Sequence, residues 1–130
     1  MHSYYSHGYG KYALHYHLLW CPKEGLFLKQ IYFVQVLKKI IMDICRSNGY
    51  DMLTLEVQPQ FIHVSVSVQP TVAPADVVRT LKSLCTIRLI HQHPELKKHY
   101  SVYGSLWKKG YLVSTAKISD PELAWRQIEN

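Results

Sequence analysis

Residues 61–69, Phe-Ile-His-Val-Ser-Val-Ser-Val-Gln, alternate so regularly that they decide the fold. Aliphatic side chains fill every second position from Ile62, whereas Phe61, His63 and Ser65 fill the positions between them. Successive side chains of a β-strand point to opposite faces, so this pattern predicts a strand with one face in a core. The other face is too polar for a core, and we expect it to be open or functional.

Three other segments have strand patterns. They are residues 11–21, which are aromatic-rich and stop at Pro22, residues 50–58, and about residues 103–115. In the second of these segments, Leu53, Leu55 and Val57 are expected to share one side.

Three segments have helical patterns. Residues 30–48 place an apolar stripe before Gly49, a natural C-terminal stop; the stripe comprises Ile31, Val34, Leu37, Ile41, Ile44 and Cys45. A second helix has Pro74 in its first turn and runs to about His91. Its expected buried stripe is Val78, Leu81, Cys85 and Leu89, with Arg79, Lys82 and Thr86 on a separate polar stripe. Ser119 and Glu122 form a capping-box pair for a last helix.

The order of these segments predicts an α+β fold. Strand, helix, strand, strand, helix, strand and terminal helix is the split βαβ, ferredoxin-like pattern, with a four-stranded antiparallel sheet and two helices on one face. The first and third strands are then neighbours at the centre, and the other face is expected to be free for a partner. His15 and His17 are expected to approach His63 on that face. We expect one domain over residues 1–130, with residues 1–10 as a flexible arm.

The composition is that of a globular, basic protein. Of 130 residues, 15 are Lys or Arg and 9 are Asp or Glu, which gives a net charge of +6 and favours a polyanionic partner. No apolar run has the length of a membrane span, and the N-terminus lacks a signal-peptide core, so no membrane partner is expected. Three separated cysteines, Cys21, Cys45 and Cys85, disfavour a disulfide framework or a zinc knuckle and fit the cytoplasm.

Four stretches, in order and spacing, resemble one known family. They are residues 16–23 (Tyr-His-Leu-Leu-Trp-Cys-Pro-Lys); Phe61-Ile62-His63; Thr80-Leu81-Lys82-Ser83 running on to Arg88; and Leu106-Trp107 through Gly110-Tyr111-Leu112-Val113-Ser114-Thr115, then Gln127-Ile128-Glu129-Asn130. The sequence is similar to the single-tyrosine HUH transposases of the smallest bacterial and archaeal insertion sequences, from about Tyr12 to the last residue.

The resemblance implies a homodimer that binds DNA hairpins and cuts single strands. In that family a His-hydrophobe-His pair holds a divalent metal, Mg²⁺ or Mn²⁺, which polarises the scissile phosphate. A tyrosine on the last helix attacks and becomes joined to the DNA 5′ end. The metal stabilises charge on the phosphoryl oxygens, and the tyrosine forms a stable covalent intermediate.

The sequence departs from the family at its chemical groups. Phe61 stands at the first histidine of the pair, which leaves His63 as a single, weak metal ligand. Gln127 stands at the nucleophile position, and a glutamine amide cannot replace a tyrosine. The glutamine that often completes the metal site would lie one residue past Asn130. We therefore predict that no catalytic residue set is intact, that metal binding is weak or absent, and that strand cleavage is impaired.

The residues predicted to contact DNA are basic or aromatic. They are His17, Lys23, Arg79, Lys82, Arg88, Trp107, Lys108 and Lys109. The cations could bind phosphates or form solvated surfaces. Trp107 could stack on bases beside Lys108 and Lys109, or it could be a core residue before a solvated turn. A replacement metal site of His15, His17 and His63 is also considered.

Three functions remain open from the sequence. The first is a DNA-binding relative of these transposases, impaired in cleavage. The second is an active metal-dependent transposase with substituted groups, such as Tyr111 or His63. The third is a ferredoxin-like module for RNA or protein, since a fold alone does not specify a function.

Overall fold

The computed structural model describes residues 5–7, 10–12, 15–23, 31–98 and 105–129. Near the start, β1 (Tyr5–His7) pairs antiparallel with β2 (Gly10–Tyr12) in a two-stranded sheet. The expected flexible arm therefore includes residues that form strands, while residues 1–4 and 8–9 lie outside the described part of the chain.

The main sheet has four antiparallel strands in the order β4-β5-β3-β6. The strands are β3 (His15–Trp20), β4 (Asp51–Val57), β5 (Ile62–Ser67) and β6 (Leu112–Ser114). The first and third predicted strands, β3 and β5, lie side by side at the centre, in a register that pairs His17 with Ser65 and Leu19 with His63. This topology confirms the predicted α+β, ferredoxin-like fold.

Three α-helices of nine or more residues accompany the sheet in the described residues. They are α1 (Ile31–Ser47), α2 (Pro74–Gln92) and α3 (Pro121–Glu129), and a 3₁₀ turn follows α2 at Pro94–Leu96. As predicted, Gly49 follows the end of α1, where its φ of 73° suits glycine. Among these residues, none of the helices combines the length and apolarity needed to cross a bilayer.

The main core lies between α1, α2 and the aliphatic face of the sheet. Val64 and Val66 of β5 are fully buried there with Leu81 of α2 and Ile41 of α1. Full burial of such a side chain stabilises the fold by about 1.5–3 kcal/mol, so this layer supplies much of the driving force for folding. All four predicted core residues of α2 are 0% exposed: Val78, Leu81, Cys85 and Leu89.

Two sequence expectations about buried faces were wrong. Ile31, placed in the stripe of α1, is 74% exposed at the first residue of the helix. Leu53, placed with Leu55 and Val57, lies at a register shift between Met52 and Thr54. Such a bulge inserts one residue into the strand, so Met52 takes the core position instead.

The last strand and the last helix also begin elsewhere than predicted. The described part of the segment 103–115 forms a strand only at Leu112–Ser114; before it, Trp107 makes an isolated bridge to Pro22. Residues 103–104 of this segment lie outside the described chain. The cap of α3 is Asp120, whose carboxylate accepts a 3.1 Å hydrogen bond from the Leu123 N–H, rather than Ser119.

The polar face of the sheet is covered, in contrast to the expected free face. Helix α3 and the segment before it close over one end of this face. They form the second-face cluster, which consists of Leu19, Cys21, Phe61, Ile118 and Trp125, with Leu112, Ala124 and Ile128 half-buried beside it. Further along β5, Ser65 and Ser67 are also buried. The alternation alone could not show this, because Ile118 and Trp125, which cover Phe61, lie far from it in the sequence.

Candidate functional site

Two histidines meet on the second face of the sheet, at the border of the second-face cluster. His17 of β3 pairs with Ser65, and His63 of β5 pairs with Leu19, so the two histidines are diagonal neighbours across the central strands. The Nδ1 atom of His17 lies 3.1 Å from the Nε2 atom of His63. Their ring centroids are 5.3 Å apart, with an angle of 41° between the ring planes.

Burial keeps this histidine pair neutral. It lowers the pKa of His63, and the charge that His17 would carry lowers it further, although Glu56 acts in the opposite direction. The pKa of His17 is lowered by burial, then by His15 and Lys117. Near pH 7 one imidazole N–H therefore donates to the lone pair of the other ring, and the choice of tautomer decides which ring is the donor.

Position 61 has become part of an apolar cluster. Phe61 is 7% exposed and packs in the second-face cluster, to which Trp125 of α3 also belongs. A phenyl ring supplies no ligand atom, and this environment would oppose an ionised or hydrated group. The position at which the resemblance implies the first metal-binding histidine thus holds a packed phenyl ring.

The residues present do not fit the Mg²⁺ or Mn²⁺ that the resemblance implies. These cations prefer several oxygen ligands, whereas His63 has the His17 imidazole 3.1 Å away and a single carboxylate residue, Glu56, as its cross-strand partner on β4. Within the described ranges, no group of three or more His, Cys, Asp or Glu side chains is arranged to hold a metal. The considered site of His15, His17 and His63 is therefore not formed as a three-histidine group.

The residue that the resemblance places at the nucleophile position, Gln127, has an amide side chain. Gln127 is exposed on α3, while Trp125 and Ile128 of the same helix pack in the second-face cluster. Tyr111, considered as a substitute, packs instead against the main core. It therefore lies with the helix side of the sheet, whereas His63 is on the opposite face.

A basic groove lies on the helix side of the molecule. It has a volume of about 600 Å³ and runs between α2 and the segment 105–111; its lining comprises Arg79, Lys82, Ser83, Thr86, Ile87, Ser105, Trp107, Gly110 and Tyr111. The Arg79 side chain is 66% exposed and makes an i,i+3 ion pair with Asp76, at 3.3 Å. The groove thus unites two predicted DNA contacts of α2, Arg79 and Lys82.

Lys82 fixes one wall of the basic groove. Its ammonium donates hydrogen bonds to the carbonyl oxygens of Lys108, at 3.4 Å, and Gly110, at 3.2 Å. Partial burial lowers the pKa of Lys82. Because Nζ has three donors, two structural hydrogen bonds leave capacity for a phosphate oxygen. Lys82 therefore shapes the groove and contributes charge to it.

Trp107 is a core residue, which was the second of the two interpretations of this residue from the sequence. It is 3% exposed and meets Trp20 edge to face, with ring centroids 6.2 Å apart. Its indole N–H donates to Thr86 Oγ1 at 2.9 Å and to the Lys82 carbonyl at 3.1 Å. A ring held this way has almost no open surface for a base, so the stacking interpretation was wrong. Tyr111, half-buried in the groove wall, is the accessible aromatic.

The other predicted contacts are dispersed. Lys108 is 3.5 Å from Glu129 of α3, and Lys109 is exposed at the turn. Lys23 and Arg88 are half-buried and do not line the groove, and His17 lies on the second face. Three residues of the groove were not among the DNA contacts predicted from the sequence: Ser83, Ser105 and Tyr111. For the tyrosine, the run Lys108-Lys109-Gly110-Tyr111 was the available signal.

Comparison with known proteins agrees with this fold. Residues 10–130 match the family described as IS200-like transposase. The chain is 36% identical over 122 residues to the ISDra2 transposase TnpA of Deinococcus radiodurans. The matched residues make up 92% of this chain and 84% of that protein.

Solved structures give the same result. A crystal structure of a candidate transposase from Deinococcus radiodurans superposes with a TM-score of 0.75 and 31% identity, over 96% of this chain and 93% of that one. A REP-associated tyrosine transposase bound to a REP hairpin shares the fold, with a TM-score of 0.54 at 11% identity, over 88% of this chain and 61% of that one. From its sequence match and its fold, the chain belongs to the IS200-like transposase family.

Proposed function

We propose that this chain binds hairpin or single-stranded DNA as a member of its family but does not cut DNA by the family's tyrosine and metal chemistry. The observation that carries the proposal is the burial of Phe61 in the second-face cluster, where the resemblance implies a metal-binding histidine. Gln127 on α3 removes the nucleophile from the same region.

The chemistry of the groups supports the loss of cleavage. Transesterification needs a hydroxyl nucleophile and stabilisation of charge on the phosphate. Gln127 has an amide, and no tyrosine occurs within α3. Tyr111 lies on the side of the sheet opposite His63, so the two could not act on one phosphate within a subunit. This separation disfavours an active enzyme with those substituted groups.

The basic groove supports the DNA-binding part of the proposal. Arg79 and Lys82 flank it with hydroxyl groups from Ser83 and Ser105, and such groups commonly bind phosphate oxygens. Tyr111 offers an aromatic surface at the same place, which suits an unpaired base. The REP-associated transposase with the same fold was solved with a hairpin, which adds support for a DNA partner.

Two further features belong to the proposal. The resemblance supports a homodimer, in which a second copy would double the basic surface available to DNA. A cytoplasmic location is supported by the three cysteines, which are free and buried.

The test combines binding with a search for covalent chemistry. A labelled panel of DNA hairpins and single strands, with matched RNA hairpins, is titrated at 50 and 200 mM salt, with Mg²⁺ or Mn²⁺ in parallel samples. We expect salt-sensitive DNA binding and no protein–DNA adduct on a denaturing gel. Absence of affinity for every DNA at low salt would refute the binding claim, and preference for RNA would favour a different module.

A matched pair of arginine variants locates the binding surface. Arg79→Ala removes an exposed arginine that lines the groove and forms an ion pair with Asp76, at 3.3 Å. Arg46→Ala removes an equivalent arginine on α1, paired with Asp43 at 3.6 Å. If the groove binds phosphates, the first variant lowers affinity several-fold and the second leaves it unchanged. Equal effects would mean that net charge, and not the groove, drives binding.

A further inference from the structure

We infer that an apolar groove beside the basic groove is a docking site for an acidic amphipathic helix of a partner protein. The apolar groove has a volume of about 530 Å³ and lies along the C-terminal half of α2. The described residues that line it are Thr86, Ile87, Ile90, His91, Pro94 and Lys97. Its volume is within the range of about 300–1,000 Å³ that is usual for ligand-binding clefts.

The floor of the apolar groove is aliphatic and fixed in place. Ile87 is 62% exposed, and Ile90, one turn further along α2, is half-buried against the main core. Pro94 continues this row into the 3₁₀ turn, which Leu96 anchors in the same core at 3% exposure. Because Ile87, Ile90 and Pro94 line one groove, they form a contiguous apolar surface. Contiguous surfaces of this kind, unlike single exposed side chains, commonly mark interaction sites.

The spacing of this row favours a helix as the bound element. Ile87 and Ile90 lie three residues apart on one face of α2, and Pro94 lies four residues beyond Ile90. At about 1.5 Å per residue, the row from Ile87 to Pro94 is about 10 Å long. A partner helix can pack along such a row with apolar side chains at i, i+3 or i+4, and i+7, which is a common mode of helix recognition in grooves.

The charges around the apolar groove favour an acidic partner. Lys97 and His91 are the exposed charged or titratable residues of its described lining, which contains no Asp or Glu. Residues 77–94 include three permanent cations and no Asp or Glu. Glu95 follows directly in the sequence, but its carboxylate is paired with His93, at 3.5 Å. Carboxylates on the flank of a docked helix would therefore meet Lys97 without a competing acid in the described groove lining.

DNA fits the apolar groove less well than it fits the basic groove. A strand that continued into it would bring phosphates over Ile87 and Ile90, whose side chains have no donor to replace the lost water. The aromatic side chain that suits an unpaired base, Tyr111, lines the basic groove instead. An amphipathic helix avoids this cost, because its apolar side chains cover the isoleucines and its carboxylates stay at the rim.

Docking at the apolar groove would regulate DNA binding. The two grooves share Thr86 and Ile87, so a helix seated in one occupies an end of the other. The helix would also bring negative charge close to the DNA phosphates. Partner and hairpin should therefore exclude each other. This consequence rests on the proposed DNA binding in the basic groove, whereas the docking itself does not.

The test uses a designed helical peptide as the probe. Its leucines repeat at intervals of three and four residues along one face, its flanks carry Glu, and fluorescence anisotropy reports its binding to the full chain without DNA. One control peptide has the same composition with its leucines dispersed around the helix, and the other has Lys in place of Glu. We expect the first peptide to bind about tenfold more tightly than either control, a difference of about 1.4 kcal/mol.

Matched variants locate the bound peptide on α2. Ile87→Glu and Met42→Glu place the same charge at exposed apolar residues of α2 and α1, which are 62% and 43% exposed. The first should weaken binding of the Glu peptide about tenfold, and the second should leave it unchanged. Lys97→Glu should weaken binding of the Glu peptide several-fold and strengthen that of the Lys peptide, an exchange that misfolding would not produce.

Several results would overturn the inference. Equal binding of the three peptides, or no binding at millimolar peptide, would exclude an acidic helical partner. If Ile87→Ser lowers hairpin affinity as much as Arg79→Ala does, DNA occupies the apolar groove; if it dissociates a dimer of the chain, a second copy does. A peptide that binds without displacing a bound hairpin would refute the regulatory consequence. Hairpin titration without peptide tests the DNA binding separately, so the two failures are distinguishable.

Discussion

Replacing Phe61 by alanine tests whether position 61 has become part of a packed cluster. The side chain is 7% exposed and packs with Leu19, Ile118 and Trp125. Phe→Ala changes at buried sites cost about 3–5 kcal/mol, from lost burial and the cavity that remains. The second-face cluster is small and lies at one end of the sheet, where neighbours can partly collapse, so we expect about 3 kcal/mol.

The expected loss is large compared with the stability of a domain of this size. With about 2.1 cal/mol/K of unfolding entropy per residue, 130 residues give about 0.27 kcal/mol/K. A loss of about 3 kcal/mol then lowers Tm by about 11 °C. Urea denaturation followed by circular dichroism and tryptophan fluorescence gives the free energy, and an unchanged m-value confirms that the denatured state is the same.

Two controls make the result specific. Phe61→Leu keeps most of the apolar volume and should cost less than about 1.5 kcal/mol. Leu123→Ala removes a side chain that is 50% exposed on the same helix as Trp125, and should change stability by less than about 0.5 kcal/mol. If Phe61→Ala also costs less than about 1 kcal/mol, Phe61 does not contribute to a packed cluster, and its burial no longer supports the loss of the metal site.

Three further predictions concern other parts of the fold. Gly49→Ala should lower the free energy of unfolding by about 1 kcal/mol, because φ is +73° and, apart from its chain neighbours, no described residue has an atom within 4 Å of the added Cβ, so backbone strain acts alone. An unchanged Tm would contradict the left-handed turn. Burial raises the pKa of Cys21 to about 12 and that of Cys45 to about 11, and it also raises the pKa of Cys85. All three thiols should therefore react slowly with Ellman's reagent at pH 8 in the folded chain and rapidly in denaturant. A thiol that reacts at once in the folded chain would refute this burial. Lys82→Met should lower stability by about 1 kcal/mol through two lost hydrogen bonds and reduce the slope of log affinity against log salt by about 1; an unchanged slope would place the phosphate contacts elsewhere.

The sequence predicted those parts of the fold that depend on local periodicity. The alternation from Ile62 to Val68 identified the central strand, and the stripe of Val78, Leu81 and Leu89 identified the buried face of α2. In each case the side-chain period of the backbone and the burial of one face give the same answer, so residues close in sequence suffice.

The remaining features depend on contacts between distant segments. Nothing local shows that Trp125 covers Phe61, or that the Trp107 indole N–H finds partners on α2. For the same reason the polar face was expected to be open, and Trp107 was considered a surface for bases. The meeting of His17 and His63 was anticipated, because adjacent strands in antiparallel register bring diagonal residues together, but their 3.1 Å separation required side-chain positions.

The most direct test measures hairpin binding and strand cleavage in the same sample. A labelled hairpin with a single-stranded flank is incubated with the chain and Mg²⁺ or Mn²⁺, and one sample is divided between a native gel and a denaturing gel. We predict a retarded complex on the native gel, together with full-length DNA and no protein-linked band on the denaturing gel. A protein-linked band, or a shortened strand that requires metal, would show that the chain cleaves DNA without the tyrosine that Gln127 replaces, and would contradict the central claim.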